Sequence, residues 1–228
     1  MPASAARAIS STGDAPAAPL TGDHLPPALA SLLGRTSLGV RHLSGPAPSE
    51  GELTLMARAA LRAPDHAGLV PWRLKLVRGD ARQHMATLFE QAALAAGKSA
   101  DDARNDFERA LAAPVSIAVV ARIDLGHPLV PAHEQWAAVG GAITNFLNAA
   151  HALGYAGKML SGGKVRRPEL IAAFCDPGET LVGWLALGRP TKAGKVSEGK
   201  PAADQVMIDW PKARHFPLTP ARAPDSDA

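Results

Sequence analysis

The sequence has a single cysteine in its 228 residues, Cys175. No internal disulfide can form and nothing requires an oxidising compartment, so a cytoplasmic location is expected. The thiol closes the apolar run Ala172-Ala173-Phe174-Cys175, where it reads as a buried, inert group. No apolar run approaches the roughly 20 residues of a membrane span. The longest, Val115 to Ala121, is strand-sized, so no membrane partner is expected. Basic residues are not clustered either. The 24 Lys and Arg against 21 Asp and Glu leave a net charge of +3, spread along the chain without interleaved aromatics. That argues against a nucleic-acid partner and suits a phosphorylated small ligand.

Several catalytic signatures are also missing. No G-x-S-x-G occurs, and no G-x-G-x-x-G follows a strand, so no Rossmann nucleotide site is expected. Ser161-Gly162-Gly163-Lys164 fits S-x-x-K, but the partner motifs S-D-N and K-T-G are absent. Gly163-Lys164 does not complete a phosphate loop. Lys158 stands where its first glycine belongs, and Val165 where a Ser or Thr is needed. His127, His133 and Glu134 are the best metal-ligand candidates, but they lack a zinc spacing, and no metal is expected.

What is present is a hydrophobic content of 46%, enough for a packed domain. Residues 1–26, rich in Ala, Pro, Ser and Gly, read as a disordered extension, residues 27–215 as the folded domain, and 216–228 as a disordered tail. A first helix is predicted from Pro27 to Leu33, ended by Gly34. A second is opened by the capping box Ser49 and Glu52. Trp72 to Val77 alternates apolar and basic residues as a strand does, with Trp72, Leu74 and Leu76 on the buried face. Helices follow from Asp80 to Ala95 and from Ser99 to before Pro114, then the strand Val115 to Val120. The longest helix runs from Glu134 to Leu153, terminated by Gly154. Its small residues, Ala137, Ala138, Gly140, Gly141 and Ala142, allow another backbone or a flat ligand to come close. A strand from Tyr155 to Met159, a helix from Pro168 to Phe174 and a strand from Leu181 to Leu187, stopped by Gly188, complete an α+β layered domain.

Arg62-Ala63-Pro64-Asp65-His66 reads as a helix end that leaves an arginine and a histidine exposed just before the strand begun by Pro71-Trp72. This segment joins a wider set of short matches: Arg35-Thr36-Ser37, Glu90-Gln91-Ala92, Ala113-Pro114, Glu134-Gln135, Gly154-Tyr155-Ala156-Gly157, Ser161-Gly162 and Val182-Gly183-Trp184-Leu185-Ala186-Leu187-Gly188. In that order, from about Leu32 to Pro190, the chain resembles the nitroreductase-like flavoproteins, in particular their short YdjA-type branch.

The resemblance implies a central, mostly antiparallel sheet flanked by helices, in a homodimer with FMN at the subunit interface. It implies hydride transfer from NADH or NADPH through flavin N5 to a small organic acceptor such as a nitroaromatic or a quinone, with ping-pong kinetics. It assigns Arg35, Thr36 and Ser37 to the FMN phosphate and polar chain, Met159, Leu160 and Ser161 to the flavin's surroundings, and Arg62 and His66 to contact from the partner subunit. Three of these depart from the branch: Thr36 stands for a second arginine, and Met159-Leu160 for Trp-Arg. Ala149 to Gly154 matches a segment tied to NAD(P)H in relatives, although its residues read as the buried end of a helix. No catalytic side chain is assigned, because the cofactor does the redox work. The alternatives are a non-catalytic FMN-binding protein of the same fold, for storage or sensing, a flavin-consuming oxidase that forms a benzimidazole, and a helical interaction module.

Overall fold

The computed structural model describes residues 25–195 and 200–210. The expected extension up to residue 24 and the expected tail from residue 216 lie outside the described residues. In chain order the elements are α1 (Pro27–Gly34), β1 (Leu43–Ser44), α2 (Glu50–Ala60), β2 (Trp72–Val77), α3 (Asp80–Ala95), α4 (Ala100–Leu111), β3 (Val115–Ala121), α5 (Ala132–Ala152), β4 (Ala156–Leu160), α6 (Pro168–Phe174), β5 (Thr180–Pro190) and α7 (Ala203–Val206). Residues up to Gly194 form one compact unit and those from Lys195 a second. The second holds α7, with Val206, Met207, Ile208 and Trp210 exposed. No helix among the described residues is long and apolar enough to cross a membrane.

Local chemistry fixes most helix ends. Ser49 accepts the Glu52 backbone N–H at 3.3 Å, and the Glu52 carboxylate accepts that of Ser49 at 2.8 Å, which closes the capping box of α2. Ser99 caps α4 by accepting from Asp102 N–H at 3.1 Å. Pro27 and Pro168 occupy first turns, where a missing N–H costs nothing. At the far end of α5, Gly154 turns the chain at φ 80°, and Tyr155 N–H returns to Ala150 O at 2.9 Å.

The five strands form one sheet of order β1-β5-β3-β2, with β4 also on β5, and every strand pairing is antiparallel. β3 is buried throughout and sorts its side chains by alternation. Val115, Ile117, Val119 and Ala121 face α2 and α5 with Met56, Phe146, Leu185 and Leu187. Ala118 and Val120 face α3, α4 and α6 with Phe89, Phe107, Leu170 and Trp184. Fully buried side chains such as Leu185 and Leu187 stabilise this three-layer arrangement by about 1.5–3 kcal/mol each.

Three strand details differ from the sequence reading. β5 does not stop at Gly188 but continues to Pro190, because β1 pairs with Arg189 and Pro190. Gly188 is needed there for closeness: a Cβ on it would lie 2.9 Å from Ser44 O and 2.8 Å from Pro114 Cδ. Leu76 is 37% exposed, because β2 is an edge strand and sends Val77 to the α3 side instead. Between Leu181 and Gly183 the β5 register slips by one residue against β3. The bulge puts Leu181 and Trp184 on the same face although they are three apart. At the bulge Gly183 takes φ 150°, and an added Cβ would collide with the Leu160 carbonyl. Only glycine therefore lets the end of β4 lie this close.

Candidate functional site

Two of the expected segments meet on the fold. After α1, Arg35 runs extended and Ser37 makes a parallel bridge with Gly157 in β4. Gly157 has no room for a side chain, since a Cβ would lie 2.6 Å from Leu187 and 2.8 Å from Leu147. Leu38 then packs in a small core with Leu160, Ala156 and Ala186. Arg35-Thr36-Ser37 is thus tied to the strand that ends in Met159-Leu160-Ser161, which pairs Met159 with Leu185 and Leu160 with Trp184. Thr36 also abuts Gly194, beyond the end of β5, where a Cβ would overlap the Thr36 hydroxyl. The intervening Thr191 donates its N–H to His42 O at 3.0 Å. His42 is held below the ordinary histidine range by desolvation, then by the charges of Lys192 and Arg41. Lys192 therefore brings a cation close to the Arg35 segment.

Leu160 and Ser161 line a cavity of about 110 Å³. Its other walls include Phe89 and Ser116, the charged Asp106, Arg109 and Lys164, and Trp184. Trp184 is only 2% exposed, makes edge contacts with Phe89 and Phe174, and has its indole Nε1–H buried without a partner. Asp106 is 6% exposed and accepts from Lys164 at 2.8 Å and Lys98 at 2.9 Å. Burial pushes its carboxyl up, but the two lysines outweigh burial and hold it below the usual carboxylate range.

Arg62 and His66 lie elsewhere. Arg62 is exposed beside Leu55, Arg58 and Leu61 at the end of α2. His66 Nδ1 is 2.8 Å from Glu134 Oε2, in the first turn of α5. The loop that follows is strained. Ala67 and the β-branched Val70 take φ of 61° and 47°, and the Asp65 carboxylate holds Val70 N–H at 2.7 Å. The Arg35 segment is at the other end of α5, where a Cβ on Gly34 would lie 3.8 Å from His151 Nε2. From Glu134 to His151 the axis runs about 25 Å, so His66 and the Arg35 segment are that far apart along α5, with Ala63, beside Arg62, packed between them at Gly141.

The small residues of α5 divide between two tasks. Ala138 and Ala142 are buried, and Gly141 receives Ala63, which would be 3.1 Å from its Cβ, so part of the cluster serves packing within the chain. Ala137 and Gly140 remain exposed. Two of the three metal candidates are engaged in other ways. His127 Nδ1 accepts from Leu129 and Val130 N–H at 3.2 and 3.0 Å, and Glu134 binds His66. Among the described residues no group of three or more His, Cys, Asp or Glu could hold a metal ion. Cys175 is half-buried, and desolvation, then Glu179, raises its thiol above the ordinary range, as suits an unreactive group.

Sequence reasoning missed Asp106, Arg109, Lys164, Lys192 and the Trp184 donor. Asp106 and Arg109 belong to a helix that reads as amphipathic, and Lys164 was weighed only in motifs that fail. A charged residue's burial is set by neighbours remote in sequence, so no local signal marks it.

Comparison with known proteins follows the same segments. The nitroreductase family profile matches residues 32–189. The chain is 36% identical over 178 residues to the Escherichia coli K12 protein named "Putative NAD(P)H nitroreductase YdjA", covering 76% of this chain and 94% of that protein. Among solved structures it is similar to a nitroreductase-like family protein of Bacillus cereus, with a TM-score of 0.69 and 22% identity over 82% of this chain and 97% of the other. It is also similar to a "putative nitroreductase in complex with fmn" of Desulfovibrio desulfuricans, with a TM-score of 0.63 and 21% identity over 82% of this chain and 98% of the other. At these identities the structural likenesses establish the fold alone.

Proposed function

This chain belongs to the nitroreductase family, and on that premise we propose that it is an FMN-dependent NAD(P)H oxidoreductase that works as a homodimer, with each flavin between two copies. The name of the Escherichia coli relative supports the nicotinamide donor, and the FMN-bound structural neighbour supports the cofactor. One observation supports the shared site: His66 binds the first turn of α5 at Glu134, whereas Gly34, next to Arg35, lies by His151 near the other end. A second copy that supplies His66 would let both ends meet one flavin.

The residues fit the cofactor. Ser161, the Arg109 and Lys164 cations and the Trp184 side chain line a cavity that can take the polar edge of a flavin. Arg35 supplies a fork suited to a phosphate, and Lys192 adds charge nearby. Ser37 and Ser161 add hydroxyls. Bound FMN would accept a hydride from the reduced nicotinamide and pass two electrons to a small organic acceptor such as a nitroaromatic or a quinone.

The non-catalytic alternative keeps one supporting observation. Met159 and Leu160, the two departures beside the cofactor, are packed into the cores rather than extended into solvent. Anaerobic mixing separates the readings. The FMN-loaded enzyme should bleach rapidly with NADPH or NADH and regain colour with a quinone, whereas a storage protein stays yellow. Persistent colour with both donors overturns the oxidoreductase reading.

A further inference from the structure

Beside the flavin cavity lies a second one of about 360 Å³, and the two share Asp106, Ser161 and Lys164. Its floor is made of α3 alanines, and its polar walls carry Lys98, Lys164 and Arg167 against the single carboxylate of Asp106. Asp106 already binds both ammonium groups. Arg167 pairs with Glu169 at 3.1 Å, which lies outside the lining. Counting Glu169, three cations face two carboxylates, so one positive charge is unbalanced. Arg167 Nε–H and Glu169 Oε2 are both buried without a partner, so the unbalanced charge rests on the count of groups. The three cations come from separate parts of the chain: the α3–α4 turn, the turn after β4, and the residue capping α6.

We propose that this cavity is an anion subsite for the phosphate monoester of the electron donor, so that the protein takes the phosphorylated dinucleotide NADPH in preference to NADH. The inference rests on the flavin reading above, because the shared wall at Ser161 and Lys164 joins the subsite to the flavin cavity. A dinucleotide that extends past that wall would meet Lys98 and Arg167. Ammonium and guanidinium groups together match a doubly charged phosphate monoester, which NADH lacks. The alanine floor leaves room for a flat base.

The test is calorimetric titration with adenosine 2′,5′-bisphosphate, using 5′-AMP as control. The wild-type protein should bind the bisphosphate at least about tenfold more tightly, as one charge-assisted phosphate contact warrants. The double variant Lys98→Ala/Arg167→Ala should bring the two ligands within about twofold and reduce the preference for NADPH over NADH in parallel. Should that variant misfold, Lys98→Gln alone, at a half-exposed ammonium, should still weaken the bisphosphate about threefold. Equal binding of the two adenosine ligands by the wild-type protein, or an unchanged preference in a folded variant, overturns the proposal. The probe carries no nicotinamide and needs no flavin. A protein that fails to retain FMN still reports on the subsite, so the two readings fail separately.

Discussion

Arg35 stands one residue beyond α1, in extended backbone that leads to the Ser37–Gly157 bridge. Its side chain is half-buried and can reach a ligand without breaking the fold. We expect Arg35→Ala to weaken FMN binding by about 2 kcal/mol, roughly thirtyfold, because one charge-assisted phosphate contact is lost. Quenching of flavin fluorescence on titration measures this, and an unchanged Kd would remove Arg35 from the phosphate site. Thr36, which replaces an arginine of the branch, lies against Gly194. A longer side chain there would have to displace the segment that carries Lys192.

Among the elements, α2 is held by more than its own cap. The Glu52 carboxylate that closes the capping box also accepts from the Tyr155 hydroxyl at 3.0 Å and lies 3.6 Å from Arg189. Arg189 covers the Tyr155 ring at 3.7 Å and donates to Leu153 O at 2.9 Å. The start of α2, the end of α5 and the end of β5 are joined here, next to the strand that carries Ser37's bridge. The Ser49 N–H and hydroxyl, then the Tyr155 hydroxyl, hold Glu52 below its ordinary value of 4.5. A depressed carboxyl contributes stability above its unfolded pKa and loses it as pH falls through the lower folded value. Thermal melts of Glu52→Gln should therefore lie below wild type at pH 7, and the gap should narrow as pH drops below 4.5. A gap independent of pH would contradict this account of Glu52.

The same elements show what can be read along the chain and what cannot. Ser49, Ser99, Pro27, Pro168 and Gly154 act within a few residues of themselves, and the helix ends they predict are the ones found. Trp72–Val77 and Pro168–Phe174 match residue for residue. Gly188 reads as a terminator because its reason for being glycine, the approach of Ser44, comes from 144 residues earlier in the chain. The bulge at Val182 likewise depends on pairing with β3. For the proposed site, only a resemblance in motif order points to Arg35, Ser37 and Ser161. The buried charge cluster at Asp106 was not, because each lysine that neutralises it looks like a solvated residue on its own.

At the scale of the whole molecule, the proposed shared site depends on α5, which has His66 at its first turn and the Arg35 segment near its far end. Within one chain the α5 contacts of His66 and of the Arg35 segment are about 25 Å apart, and two copies in antiparallel contact would bring one of each together. Symmetric dimers with self-complementary interfaces do this without further parts. Exposed Leu55, Leu61 and Trp136, with Ala137 and Gly140 on α5, offer apolar surface for such a contact. Subunit complementation tests this sharing most directly. Arg35→Ala and His66→Ala proteins should each bind FMN weakly. When the two are co-refolded, the mixed dimers should regain one full-affinity flavin per dimer, since one of their two sites contains both native residues. Weak binding in the mixture equal to that of the parents, or a monomer that keeps its flavin on gel filtration, would contradict a site built from two copies.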